Sequence, residues 1–318
     1  MKKTYLNIYK ANLTNIKKAK KNIENNNVIG LPTETVYGLA GNAYSNKSIK
    51  KIFNLKKRPS INPLIVHFKN LNDLKKDVIC TNSFILLYKA FCPGPITFIL
   101  KKKSKSKISK MVSAGKKTIA VRIPSHVTAR NLLKILKIPL AAPSANIASK
   151  LSPTCAKDVF DEFGNKIKFI LDGGRCKIGL ESTIIDLTSK PTILRQGAIS
   201  SEQIYKVLKK KITVNKKSKS IKSPGQLKLH YYPGIPVSMN KTQNKKDEAF
   251  ITFGNKFNDV KNSFNLSKKG NLKEAANNLY KTMRKIKNKK YKSIVVCKIP
   301  NKGIGKAIND RLKKASSK

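Results

Sequence analysis

The sequence predicts an α/β protein built from two units, residues 1–210 and 236–318, which are joined by residues 211–235. Through the first 210 residues, short apolar runs alternate with segments of helical period, as strands and helices around one core do. Residues 211–224, KITVNKKSKSIKSP, are charged and rich in serine, which is typical of a linker. A second, smaller alternation begins near residue 249.

Six segments of the first unit have the apolar spacing of helices. We expect helices over residues 12–27, 47–57, 83–91, 126–137, 154–163 and 200–210. The motif CPGP ends the third of these, Gly164 ends the fifth, and Ser200 or Ser201 caps the sixth. Short apolar runs between them predict strands over residues 28–32, 63–68, 96–100, 118–123, 140–143, 169–171, 183–187 and 192–194.

The second unit repeats the alternation on a smaller scale. Its sequence predicts a strand at 249–253, a helix at 271–288, a strand at 293–299 and a helix at 303–316. Between the linker and this unit, the segment GQLKLHYYPGIPV carries too many bulky groups to be plain linker.

The net charge of +52 comes mainly from lysine, since the chain has 61 lysines and only seven arginines. Two interpretations stay open. One is a solvated lysine-rich surface that reflects compositional bias, and the other is a basic surface that binds RNA, although base and phosphate forks would favour arginine. Either interpretation predicts weak, salt-sensitive binding to polyanions such as RNA.

The scarcity of arginine makes its positions informative. Arg58, Arg122 and Arg195 follow or end predicted core elements. A guanidinium group grips carboxylate or phosphate through two parallel hydrogen bonds, so we expect these residues to bind such groups. Chance placement is the alternative.

Cysteine usage and hydropathy predict a cytoplasmic protein. The five cysteines form no CxxC pair, and the three histidines are too dispersed to suggest a metal site. The amino-terminal segment has no apolar core of a secretory signal, and no apolar run approaches the ~18 residues of a membrane span.

Polar side chains at the ends of core elements predict a small-molecule site. Residues 31–67 open with LPTETVYGLAGNAY and end with KKRPSINPLIVH, while AAPSAN and GLEST follow other predicted strands. Cations with hydroxyls and an amide suit a triphosphate and its metal. Taken singly, Lys56 could equally be a solvated charge, Ser144 a helix cap and Glu181 a surface residue. The chain has no Walker loop, GxGxxG, HExxH or GxSxG motif.

Eight motifs occur in register and together resemble the Sua5/YrdC/YwlC family of L-threonylcarbamoyladenylate synthases. They are LPTETVYGLAGNA, KKRPSINPLIVH, CPGPITFIL, TIAVRIP, AAPSAN, LSPT, DGG…GLESTIID and LRQG. The segment SPGQLKLHYYP and the second unit resemble the two-domain Sua5 type. The resemblance implies a YrdC-like twisted mixed sheet flanked by helices over 1–210, a linker or lid over 211–235, and a short, Rossmann-like α/β domain over 236–318.

The resemblance also implies an activity and a set of residues. L-threonine, bicarbonate and ATP would give L-threonylcarbamoyl-AMP and pyrophosphate, the first step of the tRNA t6A37 modification, with Mg²⁺ accompanying ATP and a separate tRNA threonylcarbamoyl-transferase complex acting downstream. The catalytic set would be Lys56, Arg58, Ser144 and Asn146. Threonine would contact Thr35, His67, Arg122, Ala142 and Ser182. ATP would contact Arg58, Asn62, Thr118, Ser144, Ser152, Arg195 and Tyr231.

Two alternatives to this activity remain. A non-enzymatic RNA-binding protein on the same fold would use the basic surface and would ignore ATP. A carbamoyltransferase of the hydrogenase-maturation type shares a related domain, but it would carry CxxC zinc repeats, which this sequence lacks.

Overall fold

The computed structural model describes residues 6–214, 224, 230–257 and 260–316. Its larger sheet has eleven strands. They are β1 (Ile8–Lys10), β2 (Ile29–Leu31), β3 (Gly38–Asn42), β4 (Ile65–His67), β5 (Ile96–Lys101), β6 (Thr118–Arg122), β7 (Leu140–Ala141), β8 (Ile170–Asp172), β9 (Thr183–Asp186), β10 (Thr192–Arg195) and β11 (Thr213–Val214). Their spatial order is β1-β8-β2-β3-β7-β4-β6-β5-β9-β10-β11, and parallel and antiparallel pairs are mixed within it.

Helices flank this sheet and bury one apolar face each against it. They are α1 (Leu13–Glu24), α2 (Asn46–Lys56), α3 (Leu71–Lys75), α4 (Asn82–Phe91), α5 (Val127–Ile135), α6 (Ala156–Phe163) and α7 (Ser201–Leu208). A short 3₁₀ turn, Gly164–Lys166, follows α6. The predicted cap at Ser200 is confirmed, because its side chain and that of Gln203 form a reciprocal capping box at the start of α7.

A second sheet of four parallel strands forms the smaller unit. Its strands are β12 (Val237–Ser238), β13 (Glu248–Thr252), β14 (Ser263–Asn265) and β15 (Ser293–Val296), in the order β12-β15-β13-β14. Helices α8 (Leu272–Lys287) and α9 (Gly305–Ala315) pack on it. A parallel sheet with crossover helices is the Rossmann-like arrangement that the sequence predicted.

All the predicted helices and strands are present, and their ends differ by a few residues. The structure adds strands β1, β3, β11, β12 and β14 and the short helix α3. Strand β3 was missed because its sequence, GLAGN, is rich in residues that strands usually lack. Helix α2 explains one of those glycines, since a Cβ on Gly41 would lie 2.4 Å from the Ser48 hydroxyl oxygen.

The two units share a packed boundary. Val36, Leu151 and Leu180 of the first unit belong to the same apolar cluster as the core of the second. Gly179 has φ +79°, and a Cβ there would lie 2.7 Å from the Asn277 Cα atom of α8, so the two backbones touch. The domain boundaries at residues 210 and 236 stay predictions, because most of 215–229, including SPGQLKL apart from Pro224, lies outside the described residues.

In the described part of the chain, no helix is both long enough and apolar enough to cross a bilayer.

Candidate functional site

A polar pocket lies where the large sheet meets the segment that joins the two units. Its walls come from the loop after β2, from residues at the ends of β4, β6, β7, β9 and β10, and from linker residues His230 and Tyr231. Nine predicted site residues line it: Thr35, Arg58, His67, Arg122, Ala142, Ser144, Ser182, Arg195 and Tyr231.

His67 and Arg122 stand side by side at one end of this pocket. Strands β4 and β6 are parallel, and their register sets these two residues opposite each other. Arg122 donates a hydrogen bond of 2.8 Å to the Glu34 carboxylate, while its buried Nε has no partner among the described groups. The buried Nδ1 of His67 likewise lacks a partner there. Because buried polar atoms are seldom left unpaired, these two atoms mark a place for a polar ligand.

The charges at this end are fixed by burial and by one ion pair. Burial, together with the neighbouring Arg122 charge, lowers the pKa of His67 to about 3, so its imidazole is neutral at pH 7. Burial alone would raise the pKa of Glu34, but the charge and hydrogen bond of Arg122 outweigh it and lower that pKa. Glu34 also accepts a hydrogen bond from the Ser125 amide, so the Arg122–Glu34 pair is held in place.

The hydroxyl of Thr35 is oriented by its neighbour Thr33. The Thr33 hydroxyl donates to the Val36 carbonyl at 2.6 Å, and it lies 2.9 Å from the Thr35 hydroxyl. Since Thr33 has already given its single proton, Thr35 must donate to Thr33. The lone pairs of the Thr35 oxygen therefore remain to accept a hydrogen bond from a ligand in the pocket.

Ser182 is held between a threonine and an arginine. Its hydroxyl lies 2.8 Å from the Thr97 hydroxyl and accepts a hydrogen bond of 3.0 Å from Arg195. The Nε of Arg195 also donates to the Ser182 carbonyl at 3.0 Å. These bonds fix the guanidinium plane of Arg195 at the pocket wall, where burial lowers its pKa.

Arg58 is oriented by its own loop at another part of the pocket. It donates to the backbone carbonyls of Asn62 and Pro63 at 3.0 and 2.9 Å, and to the Asn62 side-chain oxygen at 2.5 Å. Burial and the nearby Arg195 charge lower the pKa of Arg58 to about 9, so it stays charged at pH 7. Asn62 lies behind Arg58 and aims it rather than lining the pocket.

Lys56 is buried behind the pocket, with an exposed fraction of 1%. It belongs to the face of α2 that carries Ile49, Ile52 and Phe53, which is why it points into the protein. Its ammonium donates to the backbone carbonyls of Ser144 and Asn146 at 2.6 and 2.5 Å. Burial and the Arg58 charge lower its pKa well below the ordinary value. The interpretation of Lys56 as a solvated charge is therefore wrong.

Three other predicted residues lie outside the pocket lining. The Asn146 amide donates to the Ile147 and Lys150 carbonyls, and its buried oxygen has no partner in the described structure. Ser152 donates to Glu181 at 2.5 Å. Thr118 is half-buried at the start of β6, while Arg122 ends that strand.

The linker closes one side of the pocket. The Tyr231 side chain is 1% exposed, and its hydroxyl has no partner among the described groups. The adjoining amides tie the linker to both units: His230 donates to the Lys314 carbonyl at 3.4 Å and Tyr232 to the Ser149 carbonyl at 2.8 Å. Tyr231 therefore lines the pocket from the linker side, and its action as a lid stays a prediction.

The pocket favours anions and offers little to a metal. Arg58, Arg122 and Arg195 line it, whereas the carboxylates of Glu34 and Glu181 are already paired with arginines. In the described parts of the chain, no cluster of three or more His, Cys, Asp or Glu residues could hold a metal ion.

Comparison with known proteins supports the resemblance seen in the motifs. The sequence model described as "Telomere recombination", for Sua5, YciO and YrdC proteins, matches residues 21–197, and the model "Threonylcarbamoyl-AMP synthase, C-terminal domain" matches residues 199–317. The chain belongs to the Sua5/YciO/YrdC family. Relatives named threonylcarbamoyl-AMP synthase include those of Pyrococcus abyssi, 36% identical with 92% of each chain covered, and Bacillus subtilis, 34% identical with 92% of this chain and 90% of the relative covered.

A solved structure extends the Sua5 likeness to both units. The crystal structure of Pyrococcus abyssi Sua5 complexed with L-threonine superposes with a TM-score of 0.89 at 33% identity, covering 98% of each chain. The predicted fold, a mixed α/β sheet followed by a smaller α/β domain, is thereby confirmed.

Several residues around this Sua5-type pocket were not predicted from the sequence. Glu34 lies inside the PTET motif, but nothing in the sequence shows that it pairs with Arg122. Thr97 and His230 lie in quoted motifs without an assigned role. The interpretation of Glu181 as a surface residue is wrong, since it is 5% exposed and paired with Arg311. The scarcity of arginine could have drawn attention to Arg311.

Proposed function

We propose that the protein makes L-threonylcarbamoyl-AMP and pyrophosphate from L-threonine, bicarbonate and ATP. The observation that carries the proposal is a single pocket with two kinds of anion-binding group. At one end, Arg122 and His67 keep buried unpaired nitrogens, and elsewhere Arg58 and Arg195 present guanidinium groups fixed by hydrogen bonds. An amino-acid carboxylate and a nucleotide phosphate chain would each meet a preformed partner.

The threonine end is proposed to work through hydrogen bonding and charge. The free Nε of Arg122 would grip the threonine carboxylate, and the Thr35 and Ser182 hydroxyls and the Ala142 backbone would fix the rest of the amino acid. His67, neutral at pH 7, is too weak a base to hold a proton there. It is suited instead to accept a hydrogen bond while the threonine amine loses its proton to solvent.

The nucleotide end is proposed to neutralise phosphate charge. Arg58 and Arg195 would contact the phosphates, and Ser144 would add a hydroxyl beside them. Lys56 and Asn62 support this surface from behind: Lys56 holds the Ser144–Asn146 loop and Asn62 aims Arg58. Contacts of Thr118, Ser152 and Tyr231 with ATP, and of Asn146 with the phosphates, stay part of the proposal.

The chemistry then needs positioning more than a protein nucleophile. The neutral amine of threonine attacks the bicarbonate carbon, a C–N bond forms, and water leaves with the hydroxyl of bicarbonate and an amine proton. An oxygen of the resulting N-carboxylate attacks the α-phosphorus of ATP. The bond from that phosphorus to the β-phosphate bridging oxygen breaks, and pyrophosphate carries away its electron pair. A carbamate and a mixed anhydride both hydrolyse, so closure by Tyr231 has a chemical purpose.

Magnesium is proposed only as a companion of ATP. The Glu34 and Glu181 carboxylates are engaged by arginines, so the described residues around the pocket offer no free carboxylates for a resident Mg²⁺ site. A Mg²⁺ ion would instead be held by triphosphate oxygens, whose charge it would offset.

The proposal is tested by incubating the protein with ATP, bicarbonate, Mg²⁺ and labelled threonine at pH 7.5. We expect labelled threonylcarbamoyl-AMP and an equal amount of pyrophosphate, and neither product when threonine or bicarbonate is omitted. An Arg122→Lys variant should raise the KM for threonine by on the order of 100-fold, because a point charge replaces a fork. The exposed Lys50→Met variant serves as the control. Absence of product with folded wild-type protein would contradict the proposal.

The wider setting is proposed on the same basis. The product would pass, in the cytoplasm, to a tRNA threonylcarbamoyl-transferase complex that completes t6A37. The lysine-rich surface would add weak tRNA binding. If the chain were an RNA-binding protein alone, RNA affinity would be unaffected by ATP and by Arg122→Lys, and no product would form.

A further inference from the structure

Arg311, on the last helix of the small domain, is buried at the boundary with the catalytic unit. Its side chain is 1% exposed. Its Nε donates to Glu181 at 2.9 Å and one terminal nitrogen donates to Asp310 at 2.6 Å, while the other terminal nitrogen has no partner among the described groups. Burial of a guanidinium costs free energy unless the group is well paired, so the partners of Arg311 indicate what it does.

Glu181 gathers hydrogen bonds from both units. It accepts hydrogen bonds of 2.5 Å from the Ser152 hydroxyl, 3.1 Å from the Tyr280 hydroxyl of α8, and 2.9 Å from Arg311. Burial would raise its pKa, but the charges of Arg311 and Arg195 and the hydrogen bonds from Ser152 and Arg311 lower it to about 2. Glu181 directly precedes Ser182, whose hydroxyl lines the pocket. The small domain therefore fixes a stretch of backbone that forms the pocket wall.

Arg311 also contacts the linker tyrosine. Its guanidinium carbon lies 5.0 Å from the centre of the Tyr231 ring, within the range of a cation–π interaction. The Tyr280 ring also stacks on Tyr231, with the ring centres 5.9 Å apart and an angle of 23° between the planes. Tyr231 has φ +64°, a left-handed conformation that a bulky residue adopts only when its surroundings hold it there.

We infer that Arg311 is a positioning residue of the small domain, which holds Tyr231 over the pocket and anchors Glu181 behind Ser182. The inference rests on the proposed function for its kinetic consequences. Arg311 does not line the pocket, so we place it as a positioning residue rather than a substrate-binding one. It acts through Tyr231 at the lid and through Glu181 at the wall. The small domain thus completes a site whose predicted substrate-binding residues all belong to the first unit and the linker.

The decisive variant is Arg311→Lys, which keeps a charge for Glu181 but loses the planar face on Tyr231. We expect kcat to fall by on the order of 100-fold, because small misplacements of site groups are costly. The KM for threonine should change less than about threefold, because the lysine keeps a charge beside Glu181, which stands next to the threonine-binding Ser182. Lys273→Met, which removes an exposed cation from the same domain, should match wild type. A wild-type kcat in folded Arg311→Lys protein would overturn the inference.

A double-mutant cycle separates positioning from simple loss of structure. If Arg311 acts through Tyr231, Arg311→Lys should lower kcat by less than about threefold in a Tyr231→Ala background. An equal loss in the two backgrounds would mean that Arg311 does not act through the tyrosine, and would overturn that part of the inference.

A readout without activity keeps the inference separate from the proposed function. Buried tyrosines nitrate slowly with tetranitromethane, so Tyr231 should nitrate at least about tenfold faster in Arg311→Lys than in wild type or Lys273→Met, as followed by peptide mass spectrometry. If wild-type protein made no product, the proposed function would fail and nitration alone would decide the inference. Equal nitration of Tyr231 in the three proteins would overturn it.

Discussion

Lys56 gives the sharpest test of how the pocket wall is held. The family resemblance places Lys56 in the catalytic set, yet its ammonium donates to two backbone carbonyls, those of Ser144 and Asn146. The Lys56 carbonyl in turn accepts a hydrogen bond from the Ala148 amide at 2.8 Å. We therefore predict that Lys56→Met damages the loop over residues 144–148 first, and nucleotide binding only through it.

The magnitude follows from the Asn146 carbonyl, which would be left without a donor among the described groups, whereas the Ser144 carbonyl would still accept from the Asn146 amide at 3.0 Å. Each buried acceptor without a partner costs ~1–3 kcal/mol, and part of this is regained because methionine avoids the burial of a charge. A net loss of ~2 kcal/mol in the free energy of unfolding corresponds to a fall of ~3 °C in the midpoint of thermal unfolding for a chain of 318 residues. Activity should fall as well, because Ser144 lines the pocket.

The assay compares thermal unfolding and kcat/KM for wild type, Lys56→Met, Lys56→Gln and Lys50→Met. Glutamine can donate to one carbonyl, so Lys56→Gln should recover part of the stability, and Lys50, exposed on the same helix, should show no effect. If Lys56→Met melted like wild type while its activity was lost, the ammonium would act on the nucleotide and the loop-anchoring argument would be refuted.

Three further measurements address other parts of the site. Arg58→Lys keeps the charge but replaces a planar guanidinium, fixed on three acceptors, with a flexible point charge, so kcat/KM should fall by on the order of 100-fold in steady-state assays, and an unchanged value would contradict the arginine-fork argument. Burial lowers the pKa of His67 and of His230 to about 3. Below pH 6.5, these two imidazoles therefore bind protons in the unfolded chain but stay neutral in the folded chain. Each buried histidine should therefore lower the free energy of unfolding by ~2 kcal/mol at pH 5 relative to pH 8. In denaturant titrations, the free energy of unfolding of His67→Asn should depend less on pH than that of wild type. Thr97→Val removes one partner of the Ser182 hydroxyl and should lower kcat/KM about fivefold with little change in thermal stability, whereas a full loss of activity would indicate direct contact of Thr97 with substrate.

Much of the fold follows from local signals in the sequence. Helix α7 illustrates this, because its serine cap, the glutamine three residues later and its apolar spacing are all local. Strand β3 does not follow from them, since its Gly41 is required by the approach of α2, a contact made only in the folded protein. Tertiary contacts override strand propensity at such places.

The site residues divide in the same way, into features that the local sequence predicts and features that tertiary contacts decide. Motif order and the positions of Arg58, Arg122 and Arg195 led to residues that line one pocket. Side-chain pairing was not predictable in this way: Glu34 meets Arg122 across 88 positions and Arg311 meets Glu181 across 130. Such pairs depend on strand register and on the packing of the two domains, and no sequence period encodes them.

The excess of lysine in the chain does not extend to the described residues that line the pocket. Among the described residues that line it, the cations are arginines and none is a lysine. Desolvation explains the separation, because a buried ammonium loses its proton readily, whereas a guanidinium stays charged and keeps a fixed set of donors. Lys56, the buried lysine beside the pocket, has a strongly lowered pKa and serves protein carbonyls. A bias toward lysine can thus accumulate on solvated surfaces without altering the site, while each of the few arginines at the site is tied to a geometric requirement that lysine does not meet.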